Sequence, residues 1–231
     1  MPALVAAAFL LAGCSGGSPE ADVPKTPSSR PDEPVRTAVS AGLARDGRAS
    51  EAKVVTAGGS RLTPLPAPFL NDWRVLRVDY RQGSHPVMFH VALHGAETVL
   101  LTGDAEAFDK VVKAAGVKVG DAATATQVAG LYLQTVRPGG TGSYQVDGVD
   151  QIKFRPGITG ETAARRDAIV GEYRSVIKPP AAVAKGGGFT AAAYVVKGRE
   201  LQRRDLTIRA DGTVTDRPRT LVSDLPVAYV L

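Results

Sequence analysis

The 231-residue chain predicts an α+β fold in which antiparallel β-meanders pack against helices, and three observations predict it. Residues 73–102 and 189–215 alternate apolar and polar side chains over strand lengths broken by glycine-containing turns. Between them, three stretches repeat apolar residues at helical spacing. Hydrophobic residues make up 44% of the chain, enough to fill the core that such layers need.

Taken in order, a first helix is expected over residues 37–45. A strand over 73–80 places Leu76, Val78 and Tyr80 on one face and Arg77 and Asp79 on the other. A partner strand over 87–93 turns Val87, Phe89, Val91 and Leu93 inward and Met88, His90 and Ala92 outward, so the two form a hairpin over a loop at 81–86. Gly95 and Ala96 make a tight turn into a third strand over 98–102, whose unbroken Val99-Leu100-Leu101 predicts burial on both faces. Asp104 is placed to cap a helix over 105–115, with Phe108, Val111 and Val112 on its apolar face and Gly116 as its stop. Asp121 caps a second, running to about residue 136, with Ala125, Val128, Leu131 and Tyr132 as its stripe and Pro138 ending it. A short strand is expected over 151–154, and a helix over 160–177 opened by Thr159. The second meander follows over 189–197, 201–209 and 213–215, turning at Gly198-Arg199 and at Asp211-Gly212, with Lys197 and Glu200 placed to pair across the first turn.

Each half thus reads as helix followed by a three-strand meander. That order resembles a cystatin-like or nuclear-transport-factor-like module, and the resemblance implies a duplication with sub-domains at about 37–137 and 138–231. It rests on element order, since no residue motif repeats. The pattern leaves open whether the six strands make one sheet or two.

The N-terminus carries a different signal. Residues 3–11 are nine consecutive apolar residues, a length that suits a secretory leader and falls far short of the ~20 residues a membrane-spanning helix needs. Leu11-Ala12-Gly13-Cys14 follows directly, with small residues beside a thiol that can accept a lipid. This run resembles the lipobox of bacterial lipoproteins, and the bias toward Ala, Gly and Val is similar to that of actinobacterial proteins. The resemblance implies cleavage after residue 13 and lipidation of Cys14, including a palmitate-type acyl group. Residues 14–36, rich in Pro, Ser and Gly, are expected to be a disordered tether, and residues 37–231 the folded α+β domain. The expected location is therefore the extracytoplasmic face of the cell membrane, reached through the N-terminal lipid. Cys14 is the single cysteine, so the domain has neither a disulfide nor a thiolate metal cluster.

Motifs for catalysis are absent from the sequence. No nucleophile elbow, Walker loop, dinucleotide fingerprint or serine–lysine pair occurs; Gly58-Gly59-Ser60 and Gly186-Gly187-Gly188 read as loops, the second preceding a strand and not the helix N-terminus that a phosphate site requires. His90 and His94 share a strand face but stand about 13 Å apart, too far for one ion, so no metal and no cofactor are predicted. The one place where acid, base and aromatic groups converge is the outward face of the first hairpin, which gathers Trp73, Arg77, Asp79 and His90. These are expected to be solvated unless a helix covers them, in which case they become a pocket candidate.

The formal charge is +5. For an exported protein this excess points to anionic lipid headgroups, an anionic envelope polymer or a protein partner, and not to nucleic acid. The predicted function is a non-enzymatic envelope lipoprotein with a binding or scaffolding domain. Two alternatives stand beside it: a carrier of a small apolar molecule or lipid in a pocket between sheet and helices, and a hydrolase built on Asp79 and His90.

Overall fold

A computed structural model describes residues 32–83, 85–137 and 142–228. The leader, Cys14 and the tether up to residue 31 lie outside these residues. Helix α1 (Glu33–Arg45) begins four residues before the predicted start. Pro34 stands in its first turn, where a missing N–H leaves no bond unmade. Arg36, read from sequence as tether, is only 4% exposed. Its guanidinium donates to the Val55 and Ser60 carbonyls and pairs with Asp32 at 2.6 Å. Residues 33–36 are therefore helical, and the predicted tether runs too far at its C-terminal end. Helix α2 (Ala49–Thr56) was not predicted, since two turns carry little periodicity; its Ala52 and Val55 pack with Val39 and Leu43 of α1.

The first sheet contains β1 (Arg61–Leu65), β2 (Arg74–Gln82), β3 (His85–His94) and β4 (Glu97–Leu100), all antiparallel and in chain order. Pro64 hid β1 from the sequence reading, and β1 is an edge strand, the position where proline is tolerated. The predicted loop at 81–86 shrinks to a tight turn, because both strands extend and Gly83 takes the left-handed conformation (φ 59°) that the turn requires. One face of the sheet, with Leu76, Val78, Phe89, Val91 and Leu93, packs beneath α1 and α2. Gly42 of α1 comes so close to Thr98 of β4 that a Cβ there would overlap the threonine side chain.

The other face is also covered. Trp73, Val75, Ala92, Val99 and Leu101 pack against α3 (Ala105–Ala114) and α4 (Ala122–Thr135). Both helices are capped as predicted: Asp104 accepts from the Ala107 N–H at 2.9 Å and Asp121 from the Thr124 N–H at 2.8 Å.

The second sheet holds β5 (Ser143–Val146), β6 (Val183–Lys185), β7 (Gly188–Lys197), β8 (Glu200–Ile208) and β9 (Val214–Val222), in the order β5-β7-β8-β9 with β6 on the first residues of β7. There are thus two antiparallel sheets, of four and five strands where three and three were predicted. Helix α5 (Gly160–Tyr173) and β6 are inserted between β5 and β7, whereas the first sheet is an unbroken meander. The predicted strand at 151–154 is a 3-10 turn over Val149–Gln151 and one bridge from Phe154 to Val227. Helix α5 stops four residues early, and the Thr159 side chain makes no cap bond. Lys197 and Glu200 face each other in register, but Glu200 takes hydrogen bonds from Gln202 (2.6 Å) and Thr220 (3.3 Å) instead.

The apolar cluster around α3 and α4 continues into Ala191, Leu206, Ile208 and Val214 of the second sheet. The two helices therefore supply a core shared by both sheets. The turn before β9 packs on it: the Val119 N–H donates to Ala210 at 2.9 Å, and a Cβ on Gly212 would lie 2.8 Å from Val117 Cγ1. On its far side the second sheet is covered in part by α5, through Ile169, Tyr173, Tyr194, Val196 and Leu201.

Candidate functional site

The strand register decides which side chains share a face. Arg77 stands opposite His90, Asp79 opposite Met88 and Val75 opposite Ala92, so Trp73, Arg77, Asp79 and His90 lie on one face, as the alternation implied. The expectation that they are solvated does not hold for His90, which is 0% exposed because α3, α4 and the second sheet close over that face. Trp73 is buried as well and stacks on the exposed His94, with ring centroids 5.3 Å apart. His85 opens β3.

The four residues do not form an acid–base pair. Asp79 accepts two bonds from Arg77, at 2.9 Å from Nε and 2.6 Å from a terminal nitrogen. His90 Nδ1 and Nε2 have no hydrogen-bond partner among the described residues. Burial lowers the His90 pKa to about 4, and the Arg137 and Arg77 charges push the same way against a smaller opposing effect of Asp79. At neutral pH His90 is thus an uncharged, buried ring. Among the described residues, no group of three or more His, Cys, Asp or Glu side chains is arranged to hold a metal ion.

A second site was not read from the sequence. The face of the second sheet that looks toward α4 presents Ser143 and Gln145 from β5, Val195 and Lys197 from β7, Gln202 and Arg204 from β8, and Pro218 from β9. The C-terminal half of α4 overhangs these residues with Tyr132, Leu133 and Val136, and Arg137 follows at its end. Between helix and sheet lies a cleft of about 250 Å³. Its lining holds three cations, Arg137, Lys197 and Arg204, and no carboxylate. The hollow beside Trp73 and His94 differs, since Asp72 and Glu97 line it.

The two arginines are in different electrostatic states. Arg204 is neutralised from behind by Asp216, a carboxylate only 5% exposed that it grips through two nitrogens. Arg137 donates to the Ser143 carbonyl at 3.2 Å, but its Nε is buried without a partner and no described carboxylate pairs with it. Burial lowers its pKa, and the neighbouring Arg77 charge adds to the effect. Tyr132 is pushed up to about 12, first by burial and then by the Asp216 charge, so its hydroxyl keeps its proton. A half-buried guanidinium without a counter-ion is unfavourable on its own and becomes favourable when an anion meets it.

Sequence parity alone places Lys197 and Arg204 on one sheet face. Nothing in the sequence indicates that α4 passes over that face, or that Arg137 ends there. No family model, curated protein or solved structure matches this chain.

Proposed function

We propose that the protein is a non-catalytic binding protein, held by a lipid on Cys14 at the extracytoplasmic face of the membrane, whose cleft beneath α4 takes a small anion or the anionic end of a larger molecule. The observation that carries this reading is the cleft lining, which combines three cations with no carboxylate and leaves Arg137 without a counter-ion. Its polar groups, Ser143, Gln145 and Gln202, suit the oxygens of a carboxylate or phosphate. Leu133, Val136, Val195 and Pro218 supply apolar contact for whatever carries the charge. The volume falls below the roughly 300–1,000 Å³ of most small-molecule pockets, which favours a compact ligand.

The same lining disfavours a carrier of apolar molecules, since such a ligand would leave three cations facing hydrocarbon. A hydrolase is not supported at the first hairpin, where Asp79 is committed to Arg77 and His90 is sealed from any substrate.

Two measurements test the reading. Changing Cys14→Ser should move the protein from the membrane fraction to the soluble one; unchanged fractionation would remove the anchor. Titrating that full-length C14S chain with inorganic phosphate, sulfate and short dicarboxylates should reveal one-to-one binding to at least one of them. Arg137→Ala and Lys197→Ala should each weaken it about tenfold, the loss of one charge-assisted bond. Binding by none of these anions, or equal binding by the variants, would overturn the cleft assignment.

A further inference from the structure

The opposite face of the second sheet is half open, and its side chains are not used by the cleft. Helix α5 covers the part around Tyr194, Val196 and Leu201. Beyond it, Thr190 and Ala192 of β7, Arg203, Asp205 and Thr207 of β8, and Arg217 of β9 form the floor of a groove of about 420 Å³. Val183 and Lys185 of β6 line it too, and Val183 is 66% exposed, the more exposed of the two large apolar side chains that stand clear of the surface among the described residues. Arg219 stands opposite Arg203 and extends the same face.

Charge is distributed unequally here. Asp205 is the one carboxylate lining the groove, and it is taken up by Arg203 at 2.7 Å. Lys185, Arg217 and Arg219 are exposed and have no ion-pair partner among the described residues. The register fixes their arrangement. Arg217 and Arg219 are two residues apart on one strand, about 7 Å. Lys185 lies three strands across and about four residues along, which places its backbone about 20 Å from that of Arg217 on a diagonal. The diagonal crosses small residues, Ala192, Thr190 and Thr207, so nothing bulky interrupts it and two hydroxyls line it.

We infer that this groove binds an extended polyanion, a chain carrying phosphate or carboxylate groups at regular intervals, independently of the cleft on the other face. Lys185 at one end of a diagonal of about 20 Å and Arg217 with Arg219 at the other suit well-separated charges of one such chain, whereas a single small anion could meet only one end of it. A flat anionic bilayer fits less well, because these side chains line a groove and not a flat surface. The exposed Val183 rim gives apolar contact to the backbone of the bound chain.

The test uses the full-length C14S protein with poly-L-glutamate and inorganic polyphosphate as probes. Both should bind, more weakly as salt is raised. Arg217→Glu with Arg219→Glu should lower affinity at least about tenfold, and Arg217→Gln with Arg219→Gln should lower it less while leaving the fold intact by circular dichroism. Arg217→Glu with Arg219→Glu should leave the binding of inorganic phosphate by the cleft unchanged, since neither residue lines it, which separates this groove from the cleft. Equal binding by the wild type and both double variants would overturn the inference. So would binding of anionic phosphatidylglycerol vesicles or duplex DNA more tightly than either probe at equal charge concentration.

Discussion

At His90 the alternation of a strand and the closure of the fold oppose each other. The residue falls on the polar side of its hairpin, yet it is 0% exposed and neither ring nitrogen has a partner among the described residues. Its pKa is lowered from 6.5 to about 4, chiefly by burial. In the unfolded chain the ring binds a proton as pH falls through about 6.5, while the folded protein refuses it until about 4. Stability should therefore fall as pH drops through that window, by up to about 3 kcal/mol from this group. His90→Leu removes both the titration and two unpartnered polar atoms. Urea denaturation should find the variant at least as stable as wild type at neutral pH, with a smaller loss on going to about pH 4. Parallel losses in the two proteins would show that another group titrates. Arg137 is the counterpart on the helix side: it lowers the His90 pKa and also lines the cleft, so one residue connects the buried face of the first sheet with the cleft on the second.

At the scale of elements, what could be read depended on how much local sequence each one carries. The hairpin of β2 and β3 was legible because apolar residues alternate over residues 73–80 and 87–93, and α3 and α4 because an aspartate opens each of them. Strands β5 and β6 have four and three residues, too few to alternate visibly, and they form only against β7. Strand β1 contains Pro64, and the extra first turn of α1 is held by Arg36 reaching two carbonyls more than eighteen residues away. The candidate sites follow the same division. Parity along β8 and β9 already sorts Gln202 and Arg204 to one face and Arg203, Arg217 and Arg219 to the other. What covers each face was not legible, because α4 and α5 are placed by packing with residues far away in sequence. The cluster of Trp73, Arg77, Asp79 and His90 was correctly gathered on one face, and its burial was missed for the same reason.

Over the whole molecule, the two sheets are joined through the helices between them, with no disulfide available from a single cysteine. Phe108 stands at the centre of that layer. It is 1% exposed, meets Tyr132 edge-on at 5.3 Å, and belongs to a cluster that includes Trp73 and Val75 of the first half together with Leu206 and Ile208 of the second. Truncating it removes contacts on which both sheets depend, and Phe108→Ala should cost about 3–5 kcal/mol, as large aromatic truncations in packed cores do. The shared core also sets the form of the transition. Trp73 is the chain's single tryptophan and reports on the first half, whereas far-ultraviolet circular dichroism reports on helices and strands throughout. In wild type and in F108A the two signals should follow one denaturation curve, with the variant shifted as a whole. A variant whose tryptophan signal and circular dichroism separate would show that the sheets unfold as independent units and that the core between them does not couple them.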